Sequence, residues 1–213
     1  MLALARVEFL LLDLDETLYA PECGVLRRVD ERINAYLRER VGVPRGEVDA
    51  VRSALRRAHG TTLRGLVLRH AVDQDEYLRF VHDLDLSDLL APDPALRALL
   101  GRLPPRKVVF TNAPRLHARQ VLRLLQVEEA FHDVVALEDL GYLPKPDPAS
   151  YREVLTRIGA AARACCLVDD TRANLLPASA LGMRTVWKAK EAQSCDTVHH
   201  AIVELHELEA LWR

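Results

Sequence analysis

The run from Val7 to Tyr19, VEFLLLDLDETLY, constrains this chain more than any other segment. A greasy stretch long enough for one buried strand ends abruptly in two carboxylates, Asp13 and Asp15, with only Leu14 between them. A parallel strand buried on both faces reads as a continuous apolar run. Ligands of open α/β sheets gather beyond the carboxyl ends of such strands, so the two aspartates stand where chemistry is normally done. Carboxylates this close repel unless they share a cation or a proton.

Four further short apolar runs resemble the first: Lys107 to Phe110, Val134 to Leu137, Ala164 to Val168 and Arg184 to Trp187. Helical patterns separate them. Pro114 to Leu125 places Leu116, Val121, Leu122 and Leu125 on one stripe, and Pro148 to Ile158 and Leu175 to Leu181 follow. Asp147-Pro148 reads as a helix start, the aspartate as N-cap and the proline at the first helical position. Gly182 reads as a helix stop. Strands alternating with helices at this spacing predict an α/β fold, a Rossmann-like parallel sheet.

Between the first strand and the second lie about ninety residues without a clear strand, far more than a crossover needs. Val25, Val29, Ile33, Tyr36, Leu37 and Val41 recur there at helical spacing, ending at Gly42, and further helical groups begin at Val48, Leu63 and Tyr77. The expected organisation is a catalytic core of residues 1–20 and 91–213 interrupted by an inserted α-helical cap domain, residues 21–90. Ala91-Pro92-Asp93-Pro94 marks the return to the core.

Each expected strand carries polar groups at its carboxyl end. The first gives Asp13 and Asp15. The second gives Thr111-Asn112, before a helix whose N-terminus favours anions. The fourth gives Asp169-Asp170-Thr171, and the loop after the third carries Lys145 between Pro144 and Pro146. Only four of the 29 basic residues are lysines, so a lysine fixed between two prolines is conspicuous. A compact ammonium on a rigid loop suits a point contact to phosphate or carboxylate. Hard oxygen ligands without His or Cys select Mg²⁺, which borrows oxygens from a phosphate substrate. The residues by themselves reach a Mg²⁺-dependent phosphoryl-transfer site.

Other classes are excluded. A net charge of −2 offers no footprint for nucleic acid or an anionic membrane. No apolar stretch reaches the roughly 18 to 20 residues of a membrane span. Arg6 and Glu8 interrupt the apolar amino terminus and no small-residue cleavage site follows, so no secretory leader is expected. Cys23, Cys165, Cys166 and Cys195 show no metal-ligand spacing; the middle two read as small core residues in a reduced, cytoplasmic protein. The eight histidines form no metal-binding set, and His199-His200 reads as a solvated face.

With these residues in hand a resemblance is plain. Asp13-Leu14-Asp15-Glu16-Thr17-Leu18-Tyr19, Phe110-Thr111-Asn112, Lys145-Pro146-Asp147-Pro148 and Val168-Asp169-Asp170 resemble the four ordered motifs of the haloacid dehalogenase-like phosphatases, and the insertion resembles that superfamily's first type of helical cap. The resemblance implies Asp13 as a nucleophile that forms an aspartyl-phosphate. Asp15 would protonate the leaving oxygen and then deprotonate the attacking water. It further implies Thr111 and Asn112 as substrate contacts, and Lys145 neutralising nucleophile and phosphate together. Asp170 would bind Mg²⁺ with Asp13 and the Asp15 carbonyl, and Asp169 would do so directly or through water. Dehalogenases proper lack an aspartate at the Asp15 position.

A narrower resemblance, to the pyrimidine 5′-nucleotidase branch, rests on Leu18-Tyr19, on His59-Gly60 with Leu63-Arg64-Gly65-Leu66-Val67, on Phe110-Thr111-Asn112-Ala113, and on Val121-Leu122-Arg123-Leu124-Leu125. That branch commonly carries Tyr-Gly where this chain has His59-Gly60. The branch implies a pyrimidine nucleoside 5′-monophosphate as substrate, with a sugar phosphate, phosphoglycolate or a phosphomutase outcome as alternatives. A non-catalytic binding protein is disfavoured, because the nucleophile, acid/base and lysine positions are all filled. Arg64 is the cap residue expected to reach the substrate, although an arginine on a partly apolar helix also snorkels. Arg52, Arg56 and Arg57 read as a solvated helix face, and Tyr19 as packing. Apolar cap residues leave room for a homodimer, which no pattern compels.

Overall fold

The computed structural model describes residue 4, residues 6–191 and residues 196–212. Cys195 and the first three residues of the apolar amino terminus lie outside the described residues. The chain forms two compact units, one of Met1–Cys23 with Leu86–Arg213 and one of Gly24–Asp85. Eight α-helices are found among the described residues. In chain order they are α1 Val25–Glu39, α2 Val48–His59, α3 Thr62–His70, α4 Gln74–His82, α5 Pro94–Arg102, α6 Arg115–Leu124, α7 Pro148–Ile158 and α8 Arg172–Ala180. None is long and apolar enough to cross a membrane.

The first unit is an α/β Rossmann-like fold on a six-stranded, wholly parallel sheet. Its strands are β1 Phe9–Leu12, β2 Arg106–Phe110, β3 Asp133–Val135, β4 Cys165–Asp169, β5 Arg184–Lys188 and β6 His200–Ile202. They lie in the order β3-β2-β1-β4-β5-β6. β1 is central, with Leu12 opposite Val109 on one side and Val168 on the other. Leu10, Leu11 and Leu12 are all fully buried, which is why β1 shows no alternation. Leu11, Val108, Phe110, Leu167, Tyr151 and Trp187 share one core cluster, each large side chain contributing about 1.5–3 kcal/mol by leaving water. The strand order reverses between β1 and β4, so their ends open onto a topological switch point.

Local chemistry sets the helix ends. Asp93 and Asp147 each accept a backbone N–H of the first turn, from Leu96 at 2.8 Å and Ala149 at 2.9 Å, with proline at the first helical position in both. α8 ends in a paired stop: Gly182, at φ +90°, donates to Ser179 O at 2.9 Å and Met183 donates to Ala178 O at 3.0 Å.

Three sequence expectations need correction. The sheet has a sixth strand, β6, which opens at His200, and His199 Nδ1 lies 2.8 Å from the Thr185 hydroxyl, so this pair is edge structure and not merely a solvated face. On α6 Leu116 is 55% exposed, and His117 takes its place beside Ala118, Val121 and Leu122 on the buried face. Third, Arg52 is buried, unlike its exposed neighbours Arg56 and Arg57. It lies one turn from Val48 on the stripe that leads to Leu55, and it donates to Asn34 Oδ1 at 2.8 Å and to the Asp30 carboxylate.

The second unit consists of α1 to α4. Tyr36 meets Tyr77 and Phe80 edge to face, at centroid distances of 4.9 and 5.2 Å. Arg32 stacks 4.1 Å above Phe80 and donates to its carbonyl. α2 and α3 approach closely because Gly65 faces Leu55; a Cβ on Gly65 would lie 2.7 Å from Leu55 Cδ2.

Candidate active site

β1 ends at Leu12, and Asp13 continues its line by donating its N–H to Val168 O at 2.9 Å. The chain then turns sharply, Leu18 N–H donating to Leu14 O at 2.9 Å. This turn brings Thr17 back beneath the strand end. Its buried hydroxyl donates to Asp13 Oδ2 at 3.2 Å and accepts from Asp170 N–H at 3.2 Å, tying the loop after β1 to the loop after β4.

Lys145 crosses beneath the same strand ends. Its ammonium donates to Asp13 Oδ1 at 2.8 Å, Asp169 Oδ2 at 2.7 Å and Phe110 O at 2.7 Å. An ammonium has three protons, and all three are engaged by protein oxygens. Burial works against the ammonium, yet Asp13 and Asp169 outweigh it and hold its pKa above the ordinary lysine value. Burial pushes the Asp13 carboxyl up to about 8 against the pull of Lys145, with Asp169 and Asp15 adding to the rise.

Asp169 is fully buried. Besides Lys145 it accepts from Thr171 N–H at 2.9 Å and from Asn174 Nδ2, which bridges both its oxygens at 3.0 and 3.1 Å. Asn174 is itself fixed, its carbonyl accepting from Tyr151 OH at 2.5 Å. Asp170 is partly open, and burial with Asp169 and Glu16 pushes its carboxyl up to about 6.

Thr111 follows β2 with its side chain almost fully buried, its hydroxyl oxygen accepting from Ala113 N–H at 3.0 Å. The hydroxyl proton remains available to an acceptor. Asn112, expected to touch substrate, has both ends of its carboxamide on the main chain of Lys145. Asp15 Oδ1 accepts from Tyr19 OH at 2.5 Å and lies 2.8 Å from His117 Nε2. Arg64 belongs to the other unit, exposed on α3 with its backbone N–H capped by the Thr61 hydroxyl at 3.1 Å.

Asp13, Asp169 and Asp170 each offer an oxygen, and the three lie within 4.8 Å of one another. An all-carboxylate set of this size fits a hard cation such as Mg²⁺.

A sequence profile described as haloacid dehalogenase-like hydrolase matches residues 7–182. The chain belongs to the haloacid dehalogenase-like hydrolases. Among curated proteins, a phosphoglycolate phosphatase of Rhodospirillum rubrum is 35% identical over 96 residues, spanning 44% of this chain and 39% of that protein. Solved members of the haloacid dehalogenase-like fold align over nearly the full chain. A phosphatase from Thermococcus onnurineus has a TM-score of 0.67 at 18% identity, covering 96% of this chain and 97% of that one. The hydrolase YfnB of Bacillus subtilis, bound to magnesium, gives 0.62 at 18%, covering 97% and 99%. The L-2-haloacid dehalogenase of Xanthobacter autotrophicus gives 0.62 at 14%, covering 96% and 98%.

Three neighbours of the site are not announced by the sequence. Thr17 lay inside a quoted motif without a stated part, and Tyr19 was assigned to packing. His117 gave the least signal, because only an α6 stripe phased one residue later would have turned it inward.

Proposed function

We propose that the protein is a Mg²⁺-dependent phosphatase of small phosphate monoesters, working through a phosphorylated Asp13. The observation that carries this reading is a second carboxylate, Asp15, two residues from the buried Asp13 and set by its own pair of polar neighbours. A dehalogenase has no use for an acid at that place; a phosphatase needs one to protonate an alkoxide.

An Asp13 oxygen attacks phosphorus, and the bond from phosphorus to the leaving oxygen breaks. That bond's electron pair stays on the leaving oxygen, which takes the proton of Asp15. Water then loses a proton to the Asp15 carboxylate and attacks phosphorus, releasing inorganic phosphate and returning Asp13 as a carboxylate. Lys145 pulls Asp13 toward its ionised, nucleophilic form against the effect of burial, and Asp169 with Asn174 holds Lys145. The Thr111 hydroxyl donates to a phosphoryl oxygen. Asp13 and Asp170, with Asp169 nearby, would hold Mg²⁺, whose charge would offset that of the carboxylates and the phosphoryl oxygens. The helical unit acts as the substrate-selecting cap, with Arg64 as its candidate contact.

The motif resemblance favours a pyrimidine nucleoside 5′-monophosphate. The partial match to a phosphoglycolate phosphatase supports phosphoglycolate as a second reading. A panel of UMP, CMP, sugar phosphates, phosphoglycolate and 2-chloropropionate, scored for phosphate and halide, tests both. Phosphate release on any ester without halide release supports the class, and the best ester assigns the substrate. Halide release alone overturns the class.

A further inference from the structure

His117 is the least expected neighbour of the site. It stands 102 residues from Asp15 in sequence, and its imidazole is fully buried, with Nε2 2.8 Å from Asp15 Oδ1. Tyr19 sets its hydroxyl 2.5 Å from that same oxygen. Burial and the Asp15 charge raise the Tyr19 pKa, so the phenol keeps its proton and donates it. A buried imidazole is costly where an apolar side chain would fill the space without loss, and here it meets the proposed acid/base.

We propose that His117 and Tyr19 are positioning residues that lock the rotation of the Asp15 carboxyl in the orientation that exchanges the proton with the leaving group. The proposal rests on the phosphatase reading. The terminal torsion of an aspartate is broad and roughly two-fold, so one hydrogen bond leaves the carboxyl free to flip. With the His117 proton on Nε2, two donors meet one oxygen, one from the loop after β1 and one from α6, and oppose the flip from separate elements. As the phosphorus–oxygen bond breaks, the proton passes from the Asp15 carboxyl to the leaving oxygen, and the carboxylate that remains keeps its two donors until it takes a proton from water.

The dependence on the leaving group follows. An alkoxide must be protonated as it departs, whereas p-nitrophenolate departs without that help. Loss of the lock therefore harms alkyl esters more than aryl esters.

The test is kcat/KM of the whole protein with Mg²⁺ on glycerol 2-phosphate and on p-nitrophenyl phosphate. His117→Leu and Tyr19→Phe are expected to lower the alkyl value about tenfold or more beyond any fall in the aryl value. His117→Gln, which returns an N–H near the position of Nε2, recovers most of that difference. Equal losses on the two esters, or no loss, overturn the proposal. If His117→Leu fails to fold, Tyr19→Phe carries the test, since it removes one oxygen and keeps the ring. A wild-type protein inert on these two esters and on every ester of the panel above overturns the phosphatase reading and this proposal with it. An active wild type with undiscriminating variants overturns this proposal alone.

Discussion

Asn112 holds both polar groups of the Lys145 main chain: its Oδ1 accepts from Lys145 N–H at 2.7 Å and its Nδ2 donates to Lys145 O at 3.0 Å. The loop after β2 thereby fixes the loop after β3, and with it the ammonium between Asp13 and Asp169. Asn112→Ala removes two hydrogen bonds worth about 1 kcal/mol each. A displaced catalytic group can cost about a hundredfold in rate. The expected result is a melting temperature lowered by a few degrees and kcat lowered about ten- to a hundredfold. Phosphate release and a thermal melt on the same preparation check it.

Lys145→Met keeps the side-chain length and deletes the charge. Asp13 and Asp169 are then left buried without their shared cation, and breaking a buried pair this way costs about 3–5 kcal/mol. The sign with pH is fixed. The carboxyls so exposed to each other have folded pKa values above their unfolded ones, so the folded form regains protons, and stability, as pH falls. Urea denaturation near pH 8 shows the full deficit against wild type, and near pH 5 a smaller one. An equal deficit at both contradicts the ion-pair account.

The metal-free site holds protons that a cation must displace. Asp170 is pushed up to about 6 and Asp13 to about 8, in both cases chiefly by burial. Raised carboxyls make the metal-free fold lose stability as pH climbs from the unfolded value of 3.8 through these folded ones. Mg²⁺ binding releases the protons, so the Mg²⁺-induced rise in melting temperature is small near pH 5 and grows toward pH 8. Asp170→Asn abolishes most of that rise. A rise independent of pH contradicts the assignment of the carboxylates as ligands.

The strand ends were readable because burial on both faces leaves an unmistakable apolar run, and Asp13, Thr111 and Asp169 simply follow such runs. Asp147-Pro148 and Gly182 were readable because capping chemistry is local. β6 was not, since His200, Ala201 and Ile202 carry only three residues of pattern and gain strand character by pairing with β5. Arg52 and His117 were missed for one reason: a periodicity template takes apolar residues as the buried ones, while these two are buried by polar partners, Asp30 and Asn34 for the first and Asp15 for the second. The threefold hold on Lys145 joins residues far apart in sequence, so no spacing announces it.

Gly65→Ala pits helix propensity against packing. Alanine gains about 0.8–1.0 kcal/mol in a helix interior, but its Cβ would sit 2.7 and 2.9 Å from Leu55 Cδ2 and Cβ. Overpacking of this kind costs about 1–3 kcal/mol, so the net change is destabilising and falls on the helical unit. Leu55→Ala in the same chain relieves the clash, and the double variant is expected to lose less than the two single losses summed. Denaturation of the four proteins measures the coupling.

The most direct measurement is rapid-quench labelling of the Asp15→Asn variant with an aryl phosphate ester carrying radioactive phosphate, followed by peptide mapping. That variant keeps the shape of the acid/base side chain and slows attack by water, so the intermediate accumulates. The account predicts label on the peptide containing Asp13, labile to hydroxylamine and absent from the Asp13→Asn, Asp15→Asn double variant. Turnover of ester by the wild type with no labelled protein, or label on any other residue, would contradict it.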